Sequence, residues 1–243
     1  MDLKGKSVLI TGGGSGIGLG IALAFAREKC RLAITGRSED KLKAAAAQLK
    51  DRTDVLTRAC DVSDRSAITD LFNWLKGNLG TPDILVNSAG INVSKRQMAI
   101  LEPDDWDRML AINVTGAFNC IYAILPGMRE RRSGLIVNIS SIGGKRAMKL
   151  TGAGYGASKF AMGGLGMAVG LEEHENGIHV TNIYPGEVDT PILDQRPVPV
   201  AAEERARMLL PEDIAAMVVA IAKLPPRALV PELVITPLYQ EYA

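Results

Sequence analysis

Short strand-like runs alternate with helix-patterned segments along almost the whole of this 243-residue chain. The runs Ser7–Thr11, Arg31–Thr35, Val55–Cys60, Ile84–Ser88, Leu135–Ser140, His179–Tyr184 and Leu233–Ile235 read as strands. Several show no polar alternation, as burial on both faces of a sheet requires. Helical periodicity fills the intervals at Leu19–Lys29, Glu39–Lys50, Asp64–Leu79, Pro103–Ile124, Tyr155–Asn176 and Pro211–Lys223. Ser38 and Ser63 stand where the caps of the second and third of these helices are expected. Such alternation calls for an α/β fold, a doubly wound parallel sheet of about seven strands with helices on both faces. No linker, internal repeat or low-complexity tract interrupts it, so residues 1–243 are expected to form one domain. A chain of this size buries roughly three quarters of its unfolded surface, enough for one continuous core. The exception to the pattern is Thr190–Leu210, rich in proline, arginine and glutamate. It follows the sixth strand, at the sheet edge where open α/β folds bind ligands, so a substrate loop is expected at about 190–210.

Charge and composition exclude several classes of partner. The 28 basic and 27 acidic side chains leave a formal net charge of +1, with no block of like charge. Neither a nucleic acid nor an anionic membrane surface is an expected partner. Met1–Lys6 carries no apolar leader, and no uninterrupted apolar run approaches a membrane span, so a cytoplasmic location is expected. Cys30, Cys60 and Cys120 are odd in number and lack ligand spacing, which fits buried thiols in a reducing compartment. His174 and His179 have no cysteine or carboxylate neighbours at ligand spacing, so no metal site is expected.

The first strand runs directly into Gly12-Gly13-Gly14-Ser15-Gly16-Ile17-Gly18 and then into a helix. Glycine at this junction lets backbone N–H groups approach a pyrophosphate, and the helix N-terminus adds positive partial charge. The spacing of Gly12, Gly16 and Gly18 is not G-x-G-x-x-G but T-G-x-x-x-G-x-G. Taken alone, it also fits any glycine-rich strand-to-helix loop. At the end of the second strand, Gly36 occupies the place where a carboxylate would select NAD through the ribose 2′-hydroxyl, and Arg37 follows it. A guanidinium there can hold a 2′-phosphate, which points to NADP(H). Asp61, followed by Val62, has two open readings: acceptor for the adenine amino group, or cap of the next helix together with Ser63.

Tyr155 and Lys159 stand at i and i+4 of a helix and share a face. A free phenol titrates near pH 10. A neighbouring ammonium, or the positive charge of an oxidised nicotinamide, would lower that value and make the phenol an acid/base. Together these elements resemble the short-chain dehydrogenase/reductase family, in family order from residue 3 to about residue 235. Thr11–Gly18 looks like its cofactor loop, and Asn87-Ser88-Ala89-Gly90 like its N-N-A-G motif with serine replacing the second asparagine. Asn113 matches the asparagine linked through water to the active-site lysine, and Ser141 the serine that hydrogen-bonds the substrate oxygen. Tyr155–Lys159 is similar to Y-x-A-S-K, and Pro185-Gly186-Glu187-Val188-Asp189-Thr190 to the P-G-x-V-x-T segment around the nicotinamide carboxamide.

The resemblance implies a single Rossmann-like domain that moves hydride between nicotinamide and a carbonyl or secondary alcohol. Asn113, Ser141, Tyr155 and Lys159 would be its catalytic set. Gly12, Ser15, Gly16, Ile17, Gly18, Arg37, Asp61, Val62, Asn87, Ala89, Gly90, Tyr155, Lys159, Pro185, Gly186, Val188 and Thr190 would form its NADP(H) site. Ser141 precedes Tyr155 by one residue more than is usual in the family, which leaves Ser140 as a second candidate. The chain also lacks the V-D-G-G ending common among acyl-carrier-protein reductases. Alternatives are therefore a 3-ketoacyl-thioester reductase and, from another class, a non-catalytic NADP(H)-sensing protein. Ala157, Ala161, Gly164 and Ala168 form a small-residue stripe on the Tyr155 helix. In the family the matching helix commonly meets its copy, which implies a homodimer or homotetramer; close packing on its own sheet is the other reading.

Overall fold

A computed structural model describes residues 1–241. The strands are β1 (Ser7–Thr11), β2 (Arg31–Gly36), β3 (Val55–Ala59), β4 (Ile84–Asn87), β5 (Gly134–Ile139), β6 (Ile178–Pro185) and β7 (Glu232–Ile235). All pair in parallel, in the order β3-β2-β1-β4-β5-β6-β7. Each predicted strand is present, with its ends displaced by no more than one residue. The helices are α1 (Gly16–Arg27), α2 (Glu39–Leu49), α3 (Arg65–Asn78), α4 (Pro103–Leu110), α5 (Gly116–Arg131), α6 (Ala153–Glu173), α7 (Ala202–Arg205) and α8 (Pro211–Ala222).

Side-chain alternation along the strands divides the core in two. Val8, Ile10, Leu32, Ile34, Ile84 and Val86 point to one face, where α1, α2 and α8 cover them. Leu9, Ala33, Leu85 and Ile136 point to the other, beneath α3, α5 and Val169 of α6. The central strands are therefore covered on both faces, which explains why several of them show no polar alternation. The chain order reverses between β1 and β4, and the cleft opens at the carboxyl ends of the strands there.

Two local expectations are corrected. Asp64, not Ser63, caps α3: its Oδ1 accepts from the backbone N–H of Ser66 at 2.8 Å and of Ala67 at 3.3 Å. Ser63 instead donates its N–H and hydroxyl to Asp61 Oδ1, at 2.9 and 2.6 Å, in the turn before the helix. The helix expected over Pro103–Ile124 runs on to Arg131 and contains a π-helical turn at Ala111–Thr115. By length and hydropathy this 29-residue helix could cross a bilayer, but 56% of its apolar window is buried in the fold, as in a core helix. Ser38 does cap α2, accepting from Lys41 N–H at 3.3 Å.

Candidate active site

A cleft of about 640 Å³ runs across the carboxyl ends of the strands. At one end β1 passes through the glycine turn into α1. Gly12 takes φ +67°, and a Cβ there would stand 2.9 Å from the Ala89 backbone nitrogen. A Cβ on Gly18 would collide with the Gly12 carbonyl, so the turn closes only with glycine at these positions. Ser15 occupies the N-cap of α1 with an extended backbone, yet its side chain makes no cap bond. The first-turn N–H groups are thus left for an anion. This cradle fits a pyrophosphate.

Gly12, Ser15, Gly16, Ile17, Gly18, Arg37, Asp61, Val62, Ala89, Gly90, Pro185, Gly186, Val188 and Thr190 all border the cleft. Asn87 does not. Its Nδ2 donates to Asn138 Oδ1 at 2.9 Å, and Asn138 Nδ2 donates to Asn182 Oδ1 at 3.0 Å. The three asparagines are register partners across β4, β5 and β6, so their amides form a buried ladder across one face of the sheet, beneath α6. The last residue of a strand points to one face or the other, and here the pleat turns Asn87 inward. Asp61 reaches the cleft with one carboxylate oxygen already engaged by Ser63.

At the other end stand Ser141, Tyr155 and Lys159. Gly152 caps α6, which begins at Ala153, so Tyr155 and Lys159 lie in its first two turns. Lys159 is only 4% exposed, and its Nζ donates to the Ile139 carbonyl at 2.8 Å. The ammonium lies 5.6 Å from the Tyr155 ring centroid. Burial lowers the Lys159 pKa from its ordinary 10.5 to about 8. Burial also raises the Tyr155 phenol, while the Ser141 side chain and the Arg96 charge act in the opposite direction. The net direction is upward, contrary to the lowering expected from Lys159: loss of water around the phenol outweighs its neighbours. The phenol is then a proton donor.

Ser140 and Ser141 have separate duties. Ser140 is buried, and its hydroxyl donates to the Lys159 carbonyl at 2.9 Å, tying β5 to α6. Ser141 faces the cleft beside Tyr155, its Oγ accepting from Gly143 N–H at 3.1 Å. Asn113 is fully buried in the π-helical turn. Its Oδ1 accepts from Ile91 N–H at 2.8 Å, and its Nδ2 donates to the Ile91 carbonyl at 3.0 Å and to Ser158 Oγ at 2.9 Å. It braces the loop after β4 against α6.

Further charged residues border the cleft, among them Lys41, Arg96, Arg108 and Arg196. Lys41 lies in the first turn of α2, shortly after Arg37. Arg96 and Arg196 border the opposite end, and neither stands in any motif. Arg196 pairs with Glu187 at 2.5 Å, joining the 190–210 segment to the strand β6 loop. Among the described residues no group of His, Cys, Asp and Glu could hold a metal.

The profile of the family described as short chain dehydrogenase matches residues 6–198. An uncharacterised oxidoreductase of Staphylococcus saprophyticus is 34% identical over 196 residues, covering 79% of this chain and 82% of the relative. Among solved structures, the closed form of a serine dehydrogenase complexed with NADP+ superposes with a TM-score of 0.90 at 30% identity, covering 98% of this chain and 97% of the other. An actinorhodin polyketide ketoreductase variant with NADPH superposes at 0.88 with 32% identity, covering 96% of each chain. Family profile and fold therefore agree, and the chain belongs to the short-chain dehydrogenase family of NAD(P)-dependent oxidoreductases.

Proposed function

We propose that the protein is an NADP(H)-preferring carbonyl reductase or alcohol dehydrogenase in which Tyr155 is the general acid/base. The observation that carries this reading is the meeting of Tyr155, Ser141 and Lys159 at one end of a cleft whose other end is a pyrophosphate cradle. The nicotinamide dinucleotide, when bound, supplies or accepts the hydride. The first turn of α1 would hold the pyrophosphate, and Lys159 the nicotinamide ribose. Arg37 and Lys41 flank the place where a 2′-phosphate would lie, and Gly36 presents no carboxylate to repel it.

In reduction Tyr155 gives its proton to the substrate oxygen while Ser141 orients that oxygen. Lys159 stabilises the phenolate left behind. Proton transfer of this kind contributes on the order of 10²–10⁴-fold, and positioning of the reactants supplies much of the remainder. Three free, buried thiols are in keeping with a reducing, cytoplasmic location.

The decisive experiment follows NADPH oxidation against a panel of aldehydes, ketones, sugars, quinones and acyl thioesters, for the parent and Tyr155→Phe. The parent should turn over at least one carbonyl class. Tyr155→Phe should lose turnover by about 10²-fold or more while still binding NADPH in a fluorescence titration. Near-parental turnover in the variant would overturn the assignment, and NADPH binding without turnover in the parent would favour a nucleotide sensor.

A further inference from the structure

We propose that the substrate of this site carries a carboxylate and that Arg96 receives it. The inference rests on the oxidoreductase reading above and narrows its substrate to hydroxy acids and their oxo-acid counterparts. Arg96 lies in the loop after β4 and is only 5% exposed. Its Nε donates to the Val93 carbonyl at 2.7 Å, Nη1 to that of Leu150 at 3.3 Å and Nη2 to that of Gln195 at 2.5 Å. All three acceptors are neutral. Among the described residues no carboxylate lies within ion-pair distance of this guanidinium, although buried charges are ordinarily paired.

A guanidinium has five N–H donors, so the three bonds leave two for a ligand. Arg96 borders the same cleft as Ser141 and Tyr155, and its charge acts on the Tyr155 phenol. An anion bound there would lie near the proton-exchanging group.

The surrounding charges indicate which anion. Arg196 is matched by Glu187, Arg205 by Asp189 and Arg108 by Asp105. Arg96 is thus the unmatched arginine of this wall among the described residues, and one positive charge calls for a monoanion. A carboxylate satisfies that charge and meets the planar fork with two parallel bonds. Lys149 lies nearby but is exposed to solvent, so a phosphate dianion would find only one buried guanidinium to offset it. The three carbonyls belong to the loop after β4, the segment before α6 and the 190–210 segment, so Arg96 also ties together the walls that enclose the substrate.

The test compares small hydroxy acids with their methyl esters and with matched phosphate monoesters, using NADP+, and oxo acids with their esters using NADPH. In the parent, kcat/KM should favour the acid over the ester by about 10–100-fold. Arg96→Gln should reduce that acid-to-ester ratio by a similar factor, chiefly through the KM of the acid, and Arg96→Lys should restore part of it. The acid should raise the Tm of the parent more than that of the Arg96→Gln variant. Equal losses on acid and ester, with an unchanged ratio, would make Arg96 only a clamp and overturn the proposal. Preference for the phosphate monoester would also overturn it, as would turnover of neutral ketones without turnover of acids; both results leave the oxidoreductase reading standing. Absence of both NADPH binding and turnover would defeat that reading itself. Should Arg96→Gln fail to fold, competitive inhibition of the parent by propionate supports the proposal, and the lack of inhibition up to high concentration overturns it.

Discussion

At Lys159 and Tyr155 the same cause, loss of water, acts with opposite sign on two groups of opposite charge type. Burial lowers the ammonium to about 8 in the folded protein, against its ordinary 10.5 when unfolded. Between those values the unfolded chain binds more protons, so this residue makes stability rise with pH; below about 8 both states are charged and the burial cost is fully present. Lys159→Met removes that cost and leaves the Ile139 carbonyl without its donor at every pH. The stability of the variant relative to the parent should therefore fall between pH 7 and pH 10, by on the order of 2–4 kcal/mol. Calorimetric unfolding of both proteins at the two pH values checks this; a difference independent of pH refutes it. Arg37 offers a second test at this scale. Arg37→Asp should lower the NADPH/NADH ratio of kcat/KM by roughly 10–100-fold. A ratio that survives the charge reversal would remove Arg37 from the 2′-phosphate site.

Among the elements, the caps and the π-helical turn carry the most local information. Asp64 satisfies two N–H groups at the start of α3, whereas Ser63 is spent on Asp61. Asp64→Ala should lower the midpoint of urea unfolding. Ser63→Ala should lower it less, and the reverse order would contradict the capping assignment. The π-helical turn places Asn113 where one amide reaches both the Ile91 backbone and Ser158. Such turns often occur at functional sites because they re-aim side chains within a rigid helix. In α6 the glycines serve two faces. A Cβ on Gly166 would collide with Asn182 of the asparagine ladder, so that face lies against the sheet; a Cβ on Gly164 would meet open space.

For the whole molecule, that open face belongs to a larger uncovered surface. Ala161, Gly164 and Ala168 are exposed on α6, with Phe160, Met167 and Leu171 near them. On α5, Phe118 and Tyr122 stack with centroids 5.9 Å apart, and Tyr122 is 71% exposed. We propose that these helices form the interface of a homodimer or homotetramer, since contiguous apolar surface of this kind marks an association site. Tyr122→Glu should shift the protein towards monomer in sedimentation or light scattering while leaving NADPH binding measurable. A parent that is monomeric at micromolar concentration would refute the proposed interface.

Much of this molecule is written locally. Strand positions follow from apolar runs within one residue, because double-sided burial leaves a signature in each run separately. The glycine turn and the Tyr155–Lys159 pair were equally legible, since a backbone at positive φ and an i,i+4 face are properties of adjacent residues. Other features required neighbours distant in sequence. The inward turn of Asn87 depends on Asn138 and Asn182, and the upward direction of the Tyr155 pKa on how completely the fold excludes water. Arg96 reads in sequence as an ordinary loop charge; its burial comes from carbonyls at Leu150 and Gln195, far along the chain. The sequence by itself determined the sheet, the cradle and the acid/base pair, because short-range sterics and periodicity encode them. Only the tertiary structure decided which charges lost their water and which remained unmatched, because desolvation is set by everything packed around a group.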